Sequence, residues 1–229
     1  MDVILVPGLW LDASSWQGVI PVLQSARHTA HPLTMPGVGA GHPTEIGMTE
    51  WIEAVVRAID GLEGPVALVG HSGGGNVVHG AVDARPDRVS RAIYLDTFPP
   101  VDGGIVWEFP VVDGVVPFPG WDAFDDADVR GLDDDARAAI ASRMRDVPAA
   151  VPSQPISLRD DRRFDVPATV IMSSHSAEEM RGYMRDGAEW ALELTRIRDL
   201  EIIDLPTGHW PQFSRPADVG EVLVQVLAG

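Results

Sequence analysis

The 229-residue sequence predicts an α/β fold, with about six mostly parallel strands and helices on both faces of the sheet. Three observations predict it. Short, continuously apolar runs alternate with segments of helical spacing, the pattern of strands buried on both faces. Glycine, proline or a polar residue closes each run, marking turns. The chain is also long enough, at 45% hydrophobic residues, to fill one full core.

The elements follow in order. Residues 2–6 read as a first strand ending at Pro7-Gly8. Residues 14–27 read as a helix capped by Ser14 or Ser15 and kinked or broken at Pro21. Residues 29–34 form a weaker strand, and 35–47, rich in glycine and proline, a loop. Thr49 is placed as the cap of a helix over 50–62, in which Ile52, Val55, Val56 and Ile59 recur at helical spacing. Strands are expected at 65–70, 89–96, 168–174 and 200–205. Helices are expected at 74–84, over most of 177–198 and at 216–227, where Pro216 suits a first turn. Residues 97–165 break the alternation. They show no clear strand and one helical stretch at 133–144, and are too long for an ordinary connection. The predicted organisation is a core of 1–96 and 166–229 with residues 97–165 inserted as a cap over the strand ends.

The strand at 65–70 runs into Gly70-His71-Ser72-Gly73-Gly74, a G-x-S-x-G pattern placed where a strand turns sharply into a helix. A serine hydroxyl is a weak nucleophile unless the backbone thrusts it toward a base. A strained elbow does this, and glycines at 70 and 74 remove the collisions that side chains there would cause.

In parallel α/β sheets, sites form outside the carboxyl ends of the strands. Asp96 ends the fourth predicted strand and His209 follows the sixth. With Ser72 after the third, the chain order is Ser, Asp, His. His209 then serves as base and acid, Ser72 as nucleophile, and a carboxylate orients the imidazole. Three arrangements stay open for the third group: Asp96, Asp204 within the strand before His209, or a Ser–His dyad helped by Ser174 or His175.

Composition narrows the chemistry. Seventeen basic residues against 34 acidic ones leave a formal charge of −17, which argues against nucleic-acid binding. All seventeen are arginine, so Schiff-base chemistry and a lysine base are excluded. The chain has no cysteine, hence no disulfide and no thiolate nucleophile. No two histidines stand at the helical spacing of a zinc pair, and no metal or other cofactor is expected. The acidic run at 122–135 reads as a solvated surface, because it lacks the calcium-loop spacing. No apolar run reaches membrane-span length and the N-terminus has no basic leader region, so a cytoplasmic protein with a small-molecule substrate is expected. Nothing in the sequence specifies an oligomeric state.

The chain resembles the α/β-hydrolase superfamily, in particular small bacterial esterase-like members related to plant methyl esterases and hydroxynitrile lyases. The residues that carry the resemblance are Val6-Pro7-Gly8-Leu9-Trp10, Gly70-His71-Ser72-Gly73-Gly74, Ala92-Ile93-Tyr94-Leu95-Asp96 and Gly208-His209-Trp210. It implies an oxyanion hole made by the backbone N–H groups of Leu9 and Gly73. The family's histidine before the first-strand glycine is Pro7 here. Most members carry the triad acid after the penultimate strand; a minority place it one strand earlier, where Asp96 stands. Members that act as dehalogenases or epoxide hydrolases use an aspartate nucleophile, and related lyases use a cap lysine, so the resemblance implies ester hydrolysis. A lactonase, a thioesterase, a C–C bond hydrolase or a non-catalytic ligand binder are the alternatives. Trp10, Trp107, Trp121 and Trp210, with Phe109, Phe118 and Phe124, are placed as walls of the substrate pocket.

Overall fold

A computed structural model describes residues 1–42 and 44–229. The expected loop over 35–47 therefore contains one position, 43, that lies outside the described residues. Six strands form one parallel sheet: β1 (Asp2–Val6), β2 (Thr29–Pro32), β3 (Val66–His71) and β4 (Val89–Leu95), then, beyond a short antiparallel pair β5 (Val115–Val116) and β6 (Val147–Pro148), β7 (Ala168–Met172) and β8 (Leu200–Asp204). The spatial order is β2-β1-β3-β4-β7-β8. The chain moves outward from β1 to β2 and then returns to pair β3 on the other side of β1, with Val6 opposite Gly70. That reversal opens a crevice at the carboxyl ends of β1 and β3, where α/β sheets place their ligands.

The period of two along each strand divides the core into two layers. Ile4, Val6, Leu68, Tyr94 and Val170 face one side, with Trp51, Val55 and Ile59 of α2 (Met48–Asp60) and Val77, Val78 and Ala81 of α3 (Gly74–Ala84). Val3, Leu5, Val69, Ile93 and Ile171 face the other. There they meet Leu23 of α1 (Ile20–Ser25), and Val219 and Leu223 of the final helix, Pro216–Leu227. Sheet residues of both parities are buried, which is why the strands read as continuous apolar runs.

A buried polar cluster stands behind the first layer. Arg163 Nε donates to the Glu193 carboxylate at 2.7 Å, and His79 Nε2–H donates to the same oxygen at 2.9 Å. The Tyr94 hydroxyl donates to His79 Nδ1 at 2.8 Å. Burial pulls the His79 imidazole below its ordinary range, against the raising pull of Glu193.

Helix boundaries differ from expectation in three places. The first helix is broken rather than kinked, into a 3-10 turn at Ala13–Trp16 and α1, and Pro21 sits in the opening turn of α1. Helix α2 starts at Met48 with Gly47 as its cap residue, and the Glu50 carboxylate accepts the Gly47 N–H at 2.7 Å. Thr49 lies inside that helix and donates its N–H to Gln154 Oε1. The segment expected as one helix over 177–198 breaks at Gly187, whose φ of +70° is left-handed. It gives Ala177–Arg185 and Leu192–Arg196 with a 3-10 turn between.

Residues 97–165, expected to show no clear strand, contain the β5–β6 pair. Their helix runs Asp134–Ala141, with the Asp133 carboxylate accepting the Ala136 N–H. Val116, Val147 and Val151 join the first core layer, and Val129, Leu132 and Ile140 pack with Leu11 and Trp210. No helix among the described residues is long and apolar enough to cross a membrane.

Candidate active site

Ser72 follows the end of β3 with φ +51°, left-handed for a residue that carries a Cβ. Two backbone hydrogen bonds hold it there. Its N–H donates to Leu95 O at 3.1 Å, and its carbonyl accepts Gly75 N at 2.8 Å. A Cβ on Gly70 would lie 2.6 Å from Gly74 O, and one on Gly74 2.5 Å from Pro7 O. The glycine pair thus removes two different collisions, one across the elbow and one against the end of β1.

Asp96 continues β4 into the same crevice and is also left-handed, at φ +46°. Its N–H is tied to Ile171 O at 2.8 Å, so the neighbouring strand β7 sets its direction. His209 follows β8, and its ring spans the other two. Nδ1–H donates to Asp96 Oδ2 at 2.6 Å, and Nε2 accepts the Ser72 hydroxyl at 2.9 Å. The structure therefore brings Ser72, His209 and Asp96 into one hydrogen-bonded line. Such a line can move the hydroxyl proton to the imidazole while the carboxylate holds the ring and its developing charge.

The Asp96 environment favours the ionised carboxylate. Burial pushes its pKa up, but the His209 hydrogen bond and charge outweigh it, helped by the N–H groups of Ser174 and Ser173. The net effect holds the carboxyl well below the usual range. Oδ1 accepts those two amides at 2.9 and 2.8 Å, and Oδ2 accepts the Ser174 hydroxyl at 2.8 Å. Ser174 thus supports the acid. Asp204 instead accepts the Ala177 N–H at 2.6 Å and starts a helix.

Sequence reasoning missed two side chains behind the imidazole. His71 is buried, its Nε2–H donates to the His209 carbonyl at 2.6 Å, and its Nδ1 accepts from Gln212 Nε2 at 3.1 Å. Burial, followed by the nearby His209, pulls the His71 pKa down to about 3, so the ring stays neutral and keeps one donor and one acceptor. The signal for His71 was its place inside the elbow motif; Gln212 had none. The His209 N–H is held from the opposite side by the carbonyl of Asp128 at 2.6 Å.

The residues expected to make the oxyanion hole lie together. A Cβ on Gly73 would come within 3.0 Å of Leu9 Cγ, so the Gly8–Leu9 turn passes against the residue after Ser72. Gly73 also stands at the N-terminus of α3, where helix amides favour negative charge.

Three of the four tryptophans expected to wall the pocket, Trp10, Trp121 and Trp210, pack into an aromatic cluster. Trp10 is buried, donates its indole N–H to Val116 O at 3.2 Å, and packs edge-on to Phe109, Phe118 and Phe124. Trp210 and Trp121 join the same aromatic cluster, 4.9 Å apart between ring centroids. Trp107 is 66% exposed and flanks a groove that shares Phe98, Pro100, Ile105 and Val106 with the cavity at Ser72. The cavity at Ser72, about 230 Å³, is lined instead by Asn76, Phe98, Pro100, Ile105 and Val106. Trp10, Trp121 and Trp210 reach their partners through their own large apolar faces and fill the interior before any pocket can use them.

The fold and this site define an α/β hydrolase. The model of the alpha/beta hydrolase family matches residues 3–222, and the chain belongs to that family. Lipase LipV of Mycobacterium tuberculosis is 29% identical over 222 residues, which is 84% of this chain and 82% of the lipase. Esterase PIR7B of Oryza sativa subsp. japonica is 36% identical over 107 residues, 44% of this chain and 40% of the esterase. Among solved structures, an extracellular alpha/beta-hydrolase from a Paenibacillus species superposes with TM-score 0.80 at 20% identity, covering 98% of both chains. A pyrethroid hydrolase from Sphingobium faniae superposes with TM-score 0.70 at 18% identity, over 100% of this chain and 98% of the other.

Proposed function

We propose that the protein is a serine carboxylesterase cleaving small, fairly hydrophobic esters. The observation that carries this reading is the continuous line from Ser72 Oγ through His209 to Asp96, at 2.9 and 2.6 Å. Ser72 Oγ bonds to the ester carbonyl carbon while its proton passes to His209 Nε2. The tetrahedral oxyanion rests on the N–H groups of Leu9 and Gly73, a pair of donors of the kind worth about 3–4 kcal/mol each elsewhere. The alcohol leaves with the proton held by His209. Water then attacks the acyl-enzyme by the same route, releasing the acid and restoring the serine.

The apolar walls at Ser72, Phe98, Ile105 and Val106, suit an alkyl or aryl acyl group. Five of the residues around Ser72, Thr97, Phe98, Pro100, Ile105 and Val106, come from 97–165, and Asp128 of that stretch holds His209, which supports reading it as a cap. The esterase and lipase relatives support the same chemistry. Wild-type protein is expected to hydrolyse p-nitrophenyl acetate and butyrate and to take up a fluorophosphonate on Ser72. A Ser72→Ala protein as active as wild type would overturn the assignment. A folded protein that neither reacts with the probe nor turns over esters would be a ligand binder instead.

A further inference from the structure

A second cavity, about 380 Å³, adjoins the one at the nucleophile and shares Asp96, Thr97, Phe98 and His209 with it. Its far wall is aromatic. The Phe98 and Trp190 rings lie 4.6 Å apart, and the Trp190 and Tyr183 rings 5.0 Å apart. Beyond Asp96 and His209, its acidic and histidine lining residues are Asp128, Glu179 and His175. Among the described residues, no arginine lines either cavity, and the chain has no lysine.

The helix Ala177–Arg185 sorts its side chains to give this result. Glu179 and Tyr183, four residues apart, share a face and line the cavity with Met180. Arg181 and Arg185, also four apart, line a different groove with Leu200 and Ile202 at the edge strand β8. Arg181 donates there to Ile202 O at 2.6 Å, and Arg185 pairs with Glu178 at 2.8 Å. Both arginines are thereby turned away from the cavity, while Glu179, whose carboxylate accepts the Ser176 N–H at 2.8 Å and its hydroxyl at 2.7 Å, stays on the cavity's rim.

A carboxylate entering the cavity would leave water, meet Asp128 and Glu179, and find no arginine or lysine to pair with, which disfavours it above the histidine range. An ammonium group would meet aromatic faces and opposite charge together. We propose that this cavity binds a cationic group, so that the preferred substrates are esters whose alcohol or acyl part carries an ammonium, such as amino-alcohol esters, while esters bearing a free carboxylate are disfavoured. The inference rests on reading Ser72 as the nucleophile.

The test compares kcat/KM for acetylcholine, its neutral isostere 3,3-dimethylbutyl acetate and the anionic 3-acetoxypropionate. Assays run at pH 8, above the ordinary histidine range. Acetylcholine is expected to exceed the isostere by about tenfold, the size of a partly desolvated cation–π contact with an added charge, and the anionic ester to be slowest. Glu179→Gln and Trp190→Leu should each move the acetylcholine-to-isostere ratio toward one. That ratio is internal to each sample and so insensitive to partial misfolding. In Ser72→Ala, calorimetry should show phenyltrimethylammonium binding that weakens when Trp190→Leu is added. A wild-type ratio of one or below, alongside brisk p-nitrophenyl acetate hydrolysis, overturns the charge preference and leaves the esterase reading standing. Binding of the ammonium probe without any ester turnover supports the cavity's preference and overturns the esterase reading.

Discussion

The carbonyl of Asp128 accepts the His209 amide at 2.6 Å, while the His209 carbonyl accepts Nε2–H of His71, also at 2.6 Å. Both polar groups of this one residue's backbone are therefore occupied, one by the long segment between β4 and β7, the other by the residue before Ser72. The imidazole is positioned through its main chain as much as through Asp96.

His71→Asn should lower kcat more than KM, by about tenfold, since a small displacement of a general base costs that much or more. It should also flatten the pH dependence of stability. With the folded His71 pKa near 3 and the unfolded value near 6.5, the unfolded chain binds the extra proton between those values. Stability at this residue is thus full above about pH 6.5 and falls as the pH drops toward 3, by about 2 kcal/mol at pH 5. Urea midpoints at pH 5 and 8 measure the slope, which should be smaller in the variant.

Asp96→Asn should keep the amides of Ser173 and Ser174 within reach while favouring the wrong imidazole tautomer. A loss of about 10⁴-fold in kcat is expected, the scale seen when a triad acid is neutralised elsewhere. Because Asp96 is held below the usual carboxylate range, it stabilises the fold above the unfolded value near 4, and this contribution fades as the pH falls below that value. The variant should therefore lose less stability than wild type on acidification from pH 5 to 3, read by thermal melts.

Gly70→Ala should remove activity and destabilise the protein by about 2 kcal/mol, since its new carbon would lie 2.6 Å from Gly74 O, a backbone atom that cannot swing aside. Retained esterase activity with an unchanged melting temperature would contradict the packing of the elbow.

Glu193→Gln should cost about 3 kcal/mol, because it leaves the buried Arg163 guanidinium without its nearest carboxylate. None of the cluster's residues lines the cavity at Ser72, so fluorophosphonate labelling of Ser72 in the still-folded protein at low temperature should proceed normally.

Much of this site is legible in the chain because strand ends punctuate themselves. Apolar runs mark β3, β4 and β8; Ser72 and Asp96 follow the first two directly, and His209 stands five residues beyond the last. The pocket was not legible. Trp10, Trp121 and Trp210 look like pocket walls in one dimension, yet they pack on one another, and Phe98, Tyr183 and Trp190 take that place. An aromatic residue has the same composition whether its face meets a neighbour or a void, and only the path of 97–165 and the break at Gly187 decide which.

By itself the sequence determined the parallel sheet, the G-x-S-x-G elbow and the order of the three polar strand ends, since local periodicity and steric demand are written residue by residue. The tertiary structure alone decided that Asp96 rather than Asp204 meets His209, that His71 and Asp128 hold its backbone, and that arginines are turned away from the cavity. Those outcomes depend on which strands neighbour one another and which helix face looks inward, and residues up to 138 positions apart in the chain must meet to settle them.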